Sequence, residues 1–552
     1  MNRSILISLL FIGMLISVFC IAVSLGFLAY YFFTFGSIPS GGPLSDNQSR
    51  FDVQFYDIRL TINPENKTIS GSTAVYYKSL YDGLSELELD LVDDIEVTEV
   101  QNSGGQSLEF RREPYKLYIH LLSPLRKQAT SWVTVYYHGE PTKAVLPPWR
   151  GGFNWSKDDR GDYWIGVSCQ GEGAKVWFPC KDHPSDEPDS AALHITVPKG
   201  YYCASNGLLQ GIDTTGALST FHWLTRYPIN NYNINISIAR YAILQRPYIT
   251  LSRDTMPVVF YYIPREGARP DCLIDMAVDM LYTYRKYYGE YPFAKEKFGL
   301  AENDYLGMEH QTLNAYGNGY RFETLNGHTF DQLMLHEMGH EWWGNKVTAG
   351  DWADFWIHEG ICTYGEGLYH REKTGEAGYH RYMATVRKRI GNRNPLVPKR
   401  NATTSESYNN DIYFKGAYLM HSLRFLTGDS IFFPFLKSLA ENPRYTYTHF
   451  INTDDFIAEI NRASGKNLKP FMDVFLYTTD YPVIEVVRRG DNQYALRLTR
   501  PDFELPVEIR TSAGVERVLL SEKPVILISS DEPVVDPNGW YLLTVINKNT
   551  SS

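Results

Sequence analysis

Two periods alternate along this 552-residue chain, and the points where one gives way to the other mark its organisation. From Phe51 to about Gln245, apolar residues recur at every second position. Tyr56-Asp-Ile-Arg-Leu-Thr-Ile, Glu86-Leu-Glu-Leu-Asp-Leu and Trp132-Val-Thr-Val-Tyr-Tyr are examples, with Gly, Asn and Asp between the runs. This pattern predicts strands that bury one face, assembled into an antiparallel β platform. After Thr250 the spacing lengthens. Cys272 to Tyr288 reads as a helix, Phe298 to Glu302 as a strand, and helices follow one another at a 3.6-residue period from Phe330 to Thr478. Among them are Glu376 to Ile390, Ile412 to Leu426 and Asp454 to Ala463, the last two closed by Gly428 and Gly465 near the expected C-caps. From Tyr481 onward alternation returns in Val483-Ile-Glu-Val-Val, Tyr494-Ala-Leu-Arg-Leu and Trp540-Tyr-Leu-Leu-Thr-Val, which predicts a small closing β-sandwich.

The N-terminus carries a different signal. No charged residue occurs from Ile5 to Phe35, a run of 31 positions. At about 1.5 Å per residue, it is long enough to cross a hydrocarbon core of about 30 Å. A cleaved leader has a shorter apolar core and a small-x-small cleavage site, so a retained anchor is expected. Arg3 precedes the span and no Lys or Arg follows until Arg50, which predicts a cytoplasmic N-terminus with the bulk of the chain outside. The expected domains of this multidomain α+β chain are an anchor at 1–36, a tether at 37–49, the β platform at 50–247, a mostly helical domain at 248–480 and the sandwich at 481–552.

Composition narrows the function classes. A formal net charge of −10 offers no electrostatic footprint for nucleic acid, and the short basic run Arg387-Lys388-Arg389 reads as a solvated helix face. The six cysteines are irregularly spaced with no C-x-x-C pair, which argues against a disulfide framework or a thiolate zinc site.

The chemistry concentrates in His336-Glu337-Met338-Gly339-His340 and in Glu359, nineteen residues beyond His340. If Thr329 to Lys346 is a helix, His336 and His340 stand one turn apart on one face and bind one cation together. Glu359, on a following helix after the excursion from Glu341 to His358, supplies a third ligand. The fourth tetrahedral position is left for water, which a zinc ion activates near neutral pH. Glu337 is then placed as general base. Leu333, Leu335, Met338 and Trp342 line the remaining helix faces, so the histidines are expected in a buried setting where leaving them unpaired is costly. Glu366 is a candidate partner for a ligand histidine.

These residues and others resemble the M1 (gluzincin) family, the group that includes aminopeptidase N and leukotriene A4 hydrolase. H-E-x-x-H-x18-E is that family's zinc signature. Trp356-Ile-His-Glu-Gly resembles its W-L-N-E-G, with His358 in place of Asn, and Trp177-Phe-Pro-Cys-Lys-Asp is similar to its proline-cysteine segment. Leu306-Gly307-Met308-Glu309-His310 resembles G-A-M-E-N, and Tyr413-Phe414-Lys415-Gly416 resembles Y-x-K-G. The resemblance implies a thermolysin-like catalytic domain, one Zn2+ per chain on His336, His340 and Glu359, and a peptide whose free α-ammonium is held by Glu309 and Gln170. Gly307 and Met308 would lie along the substrate and Tyr413 would donate to the oxyanion. The expected activity is therefore zinc-dependent removal of N-terminal residues from peptides.

Two rivals stand beside it. A lipid epoxide hydrolase of the leukotriene A4 hydrolase type would use a second tyrosine, matched by Tyr408, and an aspartate, where this chain has Ser405. A membrane-anchored peptide-binding protein without turnover would need one of the chemical groups to be missing, and all are present. A metzincin is excluded, because its third histidine would fall at Lys346.

Overall fold

The computed structural model describes residues 38–325, 327–445, 449–500 and 503–549. The expected anchor at 1–36 lies outside them, and among the described residues no helix is long and apolar enough to cross a membrane. The chain forms an N-terminal β-rich part, a helical part that opens with a sheet, and a C-terminal pair of small sheets.

The N-terminal part is built on a seven-stranded sheet. Its strands are β1 (Phe51–Asn63), β2 (Thr68–Ser79), β3 (Ile95–Asn102), β4 (Thr130–Gly139), β5 (Ser190–Pro198), β6 (Leu208–Thr215) and β7 (Leu218–Thr225), in the order β6-β7-β5-β1-β2-β4-β3. Alternation decides its faces: Ile58, Leu60 and Ile62 of β1 are buried, as are Leu193, Ile195 and Val197 of β5, while the intervening residues face outward. The platform is not wholly antiparallel. β1 runs parallel to β5, Tyr56 opposite Ala191 and Leu60 opposite Ile195, because the long excursion between them returns the chain in the same direction. A second sheet of four strands includes Tyr163–Ser168, whose C-terminal end delivers the loop carrying Gln170. The proline-cysteine segment is buried beneath these sheets, flanked by the enclosed ion pairs Lys175–Asp182 (2.6 Å) and Lys181–Asp186 (2.5 Å).

The expected tether is tied down from Ser40 on. Ser40 N donates to Gly171 O (3.0 Å), Gly42 N to Ala402 O (3.1 Å) and Thr404 N to Ser40 O (3.0 Å), so residues 40–42 bridge the Gln170 loop and the segment before Tyr413. Gly41 has a positive φ of 80°, and a Cβ there would meet Trp352 at 2.3 Å.

The helical part begins with a five-stranded sheet: β8 (Ala242–Ile249), β9 (Thr255–Tyr262), β10 (Phe298–Glu302), β11 (Gly307–Met308) and β12 (Asn314–Tyr316), ordered β8-β9-β10-β12-β11. β10 runs parallel to β9 and β12, with the helix α1 (Pro270–Tyr288) crossing between β9 and β10. The helix carrying the two histidines, α2, is shorter than its periodicity suggests, spanning Gln332–Gly339. Thr329 and Phe330 are taken into a hairpin with Glu323 and Thr324, and Asp331 caps the helix by accepting from Met334 N (2.9 Å). Beyond Gly339 the chain tightens into turns, with Trp342 N and Trp343 N both donating to Gly339 O (3.2 Å each). Then come α3 (Trp356–Arg389, broken at Gly375 with φ 71°), α4 (Asn410–Thr427), α5 (Asp429–Glu441), α6 (Thr453–Ser464) and α7 (Lys469–Tyr477). Gly428 and Gly465 stand at the predicted ends of α4 and α6 with φ of 81° and 65°.

In the C-terminal part, the predicted strand at Trp540 begins only at Thr544. The backbone before it is engaged elsewhere: Asp536 accepts from Trp540 N and Tyr541 N (2.9 Å each), and Ser422 of α4 donates to Trp540 O (2.7 Å). The indole of Trp540 stacks on His421, with ring centroids 4.5 Å apart.

One contact sets the spacing of α3 and α4, which carry Glu359 and Tyr413. Gly360 on α3 and Gly416 on α4 face each other; a Cβ on the first would lie 2.8 Å from the Cα of the second, and the reverse distance is 2.9 Å. Both are backbone neighbours that cannot swing aside. Gly360→Ala or Gly416→Ala should therefore push the helices apart at a cost of about 1–3 kcal/mol. Thermal unfolding should register the loss, and metal retention should fall with it because Glu359 adjoins Gly360.

Candidate metal centre and its cavity

α2 presents His336 and His340 to one point. His336 Nδ1 lies 2.7 Å from Glu366 Oε1 and His340 Nδ1 lies 3.0 Å from Trp343 O, so each ring holds a hydrogen on Nδ1 and Nε2 is the atom left to ligate a cation. The two Nε2 atoms are 3.2 Å apart, and Glu359 Oε2 lies 3.2 Å from the first and 3.3 Å from the second. Two imidazole nitrogens and one carboxylate oxygen thus form a nearly equilateral triangle. Its edge is about that expected for donors sharing an ion at about 2.0–2.1 Å. Among the described residues the group consists of these three, and the donor set fits zinc in its open, two-His-one-carboxylate form.

The charges agree with that fit. Burial alone would lower His336, but hydrogen bonds to Glu359 and Glu366 outweigh it and hold the imidazole well above its usual range. Burial is also outweighed at His340, by Cys362, Glu359 and Glu309. Glu359 shows the converse: burial would raise it, while His340 and His336 hold it far below the ordinary carboxylate range. In the absence of metal the triangle therefore keeps protons that a divalent cation would displace.

Glu366 is fixed from three sides, by His336, by the Tyr382 hydroxyl (2.5 Å) and by the Gln332 amide. Gln332 precedes His336 by one helical turn, a spacing visible in the sequence, whereas Tyr382 arrives from the far part of α3 without any local signal.

A cavity of about 900 Å³ opens onto the triangle. Glu309 follows β11 and is buried, its carboxylate accepting from Gln170 Nε2 (2.5 Å) and from the Tyr232 hydroxyl (3.1 Å). Tyr232 was not legible as a site residue, since it sits in an Asn-rich loop of the N-terminal part. Asn345 donates to Glu309 O (2.8 Å) and so ties that edge to the turn after α2. Glu309, Glu337 and His340 each offer an atom within 4.8 Å of the others. Burial raises Glu309, and it raises Glu337 to about 8.

Gly307 and Met308 line the cavity at the sheet edge, and a Cβ on Gly307 would lie 2.4 Å from Glu337 Oε1. Tyr413, on α4, stands over His336 with ring centroids 5.8 Å apart and donates to the Tyr408 hydroxyl at 3.2 Å. Trp149, Leu306, Phe355 and Tyr408 add an apolar, mainly aromatic wall.

The two histidines that depart from the expected motifs are both buried. His358 accepts from Ala349 N through Nε2 (2.9 Å), and burial lowers it to about 3; His310 is lowered to about 3 by burial as well. Both are neutral rings beside the site.

Two predictions follow from this geometry. Glu366→Gln should weaken zinc binding about 10–100-fold, measured as zinc retained during dialysis against a chelator. Zinc affinity should rise with pH until His336 and His340 have lost their competing protons, because their pKa values are raised in the metal-free site. Acidification should release the ion, which a chromophoric chelator would report.

Comparison with known proteins accords with this geometry. Residues 53–232 match the Peptidase M1 N-terminal domain and residues 273–475 the Peptidase family M1 domain. Endoplasmic reticulum aminopeptidase 1 of Homo sapiens is 22% identical over 503 residues, and aminopeptidase N of Lactococcus lactis subsp. lactis 24% identical over 476. Each match covers 79% of this chain and 52% of the relative, so the chain spans about half the length of the curated relatives it matches. Among solved structures, the M1 zinc metallopeptidase of Deinococcus radiodurans superposes with a TM-score of 0.68 at 25% identity, covering 81% of this chain and 98% of that one. A mutant of that metallopeptidase bound to the substrate Tyr-Ser-Ala gives 0.69 with the same coverage.

Proposed function

The chain belongs to peptidase family M1, and from that premise we propose that it is a zinc-dependent aminopeptidase acting on peptides with a free N-terminus. The observation that carries this reading is the placement of the buried Glu309 carboxylate beside Glu337 and His340, on the wall of the cavity that holds the donor triangle. An α-ammonium and the carbonyl of the same residue are separated by one carbon. A chain start held at Glu309 therefore brings its first carbonyl to the triangle and leaves later peptide bonds out of reach.

Glu309 takes the ammonium by charge-assisted hydrogen bonding, and Gln170 and Tyr232 orient its oxygens. Holding one end of the substrate in this way supplies the orientation that a bimolecular encounter lacks. Zinc, held by His336, His340 and Glu359, supplies when bound a Lewis acid that polarises the carbonyl and makes water acidic. Glu337 removes the proton from the attacking water and passes it to the leaving nitrogen. Burial raises this carboxyl, which favours its holding the proton between the two transfers. The Tyr413 phenol, raised well above its usual range by burial and then by Glu359, stays protonated and donates to the developing oxyanion.

Several finer features belong to the same proposal. The sheet-then-helices order around α2 supports a thermolysin-like catalytic domain, and the four-stranded and three-stranded sheets after Tyr481 support a closing β-sandwich. The uncharged run from Ile5 to Phe35 supports a membrane anchor with the catalytic part outside. Lipid epoxide hydrolysis draws no such support, since Ser405 on the cavity wall offers a hydroxyl where that chemistry calls for a carboxylate.

Glu337→Gln should lower kcat by about 10²–10⁴-fold while the variant stays folded and metal-loaded. Aminoacyl anilides should be cleaved in a chelator-sensitive manner and their N-acetylated counterparts should not; equal turnover of the two would remove Glu309 from its role. Given the wall of Trp149, Leu306, Phe355 and Tyr408, leucyl and phenylalanyl anilides should outperform glutamyl anilide in kcat/KM.

A further inference from the structure

Far along the N-terminal sheet from the cavity motifs, a row of four side chains crosses four adjacent strands on the outward face: Asp213 on β6, His222 on β7, His194 on β5 and Asp57 on β1. His194 and His222 are directly opposed residues of an antiparallel pair. Their Nδ1 atoms are 2.5 Å apart, with the ring planes inclined at 59°. On the outer sides, His222 Nε2 hydrogen-bonds Asp213 Oδ2 at 3.0 Å, and His194 Nε2 lies 3.3 Å from Asp57 Oδ1, within ion-pairing range. Arg59 holds the other oxygen of Asp57 at 2.8 Å.

Proton counting shows what this row lacks. His222 Nε2 is hydrogen-bonded to Asp213 and so carries a hydrogen, and in the tautomer that also places a hydrogen on His194 Nε2, toward Asp57, both neutral rings are left with a lone pair on Nδ1. In that tautomer two lone pairs confront one another across the gap and a positive charge between them relieves the repulsion, whereas a hydrogen on His194 Nδ1 would be donated to His222 Nδ1. A proton is one answer. The alternative is a divalent cation, for which a carboxylate behind each ligating imidazole is the arrangement that fixes the tautomer and strengthens the donor.

We propose that His194 and His222 form a second metal site, taking a first-row transition cation through both Nδ1 atoms and completing its shell with water. Nitrogens sharing an ion at about 2.0–2.1 Å stand about 3.3 Å apart in tetrahedral geometry, so the rings need to part by about 0.8 Å. The half-buried outward face permits this, because Asp213 is 82% exposed and moves with its partner. Imidazole nitrogen suits Ni2+, Cu2+ and Zn2+, and excludes Ca2+ and Mg2+ as the resident ion. The site shares no residue with the His336, His340 and Glu359 triangle. It would fasten β6 and β7, at the edge of the sheet, to β5.

The test counts ions. Zinc-loaded full-length protein is titrated with Ni2+, with bound metal measured after gel filtration, and the same is done for His194→Gln, His222→Gln and Asp213→Asn. Wild type should take up one more Ni2+ per chain than either histidine variant, with an accompanying rise in Tm. Asp213→Asn, whose exposed side chain leaves the sheet intact, should bind Ni2+ several-fold more weakly. Aminopeptidase activity should be the same in all four proteins. Equal uptake by wild type and both histidine variants would overturn the proposal. So would a row that responds to pH but takes up no extra metal, which would show that a proton alone occupies the gap.

Discussion

Four carboxylates, those of Glu309, Glu337, Glu359 and Glu366, are buried around two imidazoles in one cavity, and this crowding of negative charge is the constraint from which the site's properties follow. Like charges in a low-dielectric setting repel strongly unless protons, cations or hydrogen bonds intervene. Each carboxylate meets the demand differently. Glu366 spends its lone pairs on His336, Tyr382 and Gln332, and Glu359 is held ionised by the two imidazoles. Glu309, whose hydrogen-bond partners Gln170 and Tyr232 are neutral, and Glu337 are both pushed upward by burial. The two that are left electrostatically unfinished are those assigned to the substrate ammonium and to the moving proton. The pair that is satisfied is the one proposed to serve the metal, one as ligand and one as the support of a ligand.

Holding this charge in place requires a rigid frame, and the frame is assembled from parts distant in sequence. Glu359 and Tyr413 are brought together because Gly360 and Gly416 let α3 and α4 approach backbone to backbone. Glu309 reaches the triangle because β11 ends beside α2, with Asn345 tying the two. Gln170 and Tyr232 come from the N-terminal part, so the cavity is completed only when the β-rich and helical parts pack on one another. The bridge made by residues 40–42 between the Gln170 loop and residues 402–404 fastens the same seam from outside. Glycine in two of the motifs thus serves packing, and packing sets the chemistry.

The parts of this arrangement legible in the sequence were those encoded locally. One helical turn fixes His336 against His340, period-two alternation fixes which face of β1 and β5 is buried, and glycines at the ends of α4 and α6 fix where those helices stop. The length of α2 was misread because Thr329 and Phe330 pair in a hairpin, an interaction that competes with helix extension and leaves no trace in the apolar period. The parallel pairing of β1 with β5 was equally silent, since alternation gives a strand's faces and not its partner's direction. Trp540 alternates like a strand, yet its backbone is claimed by Asp536 and Ser422. Tyr232 and Tyr382 were unreadable for a simpler reason: each reaches the site by tertiary packing alone.

The departures from the family motifs form a pattern of their own. His310 and His358 stand where the M1 motifs carry asparagine, and both are kept neutral by burial, so neither adds a positive charge that would compete with a cation at the triangle. His358 keeps a role that an asparagine side chain could also fill, accepting from the Ala349 amide, and it does so on the turn that follows His340. Gly307, in place of alanine, leaves the space into which Glu337 leans, since a methyl group there would meet its carboxylate. Size is added at three positions, Leu306, His310 and His358, and removed at one, Gly307, while the charge of the site is unchanged. Electrostatics therefore restricts these positions more tightly than shape does: a neutral hydrogen-bonding ring is accommodated, whereas an extra cation would occupy the charge deficit that the metal and the substrate are needed to fill.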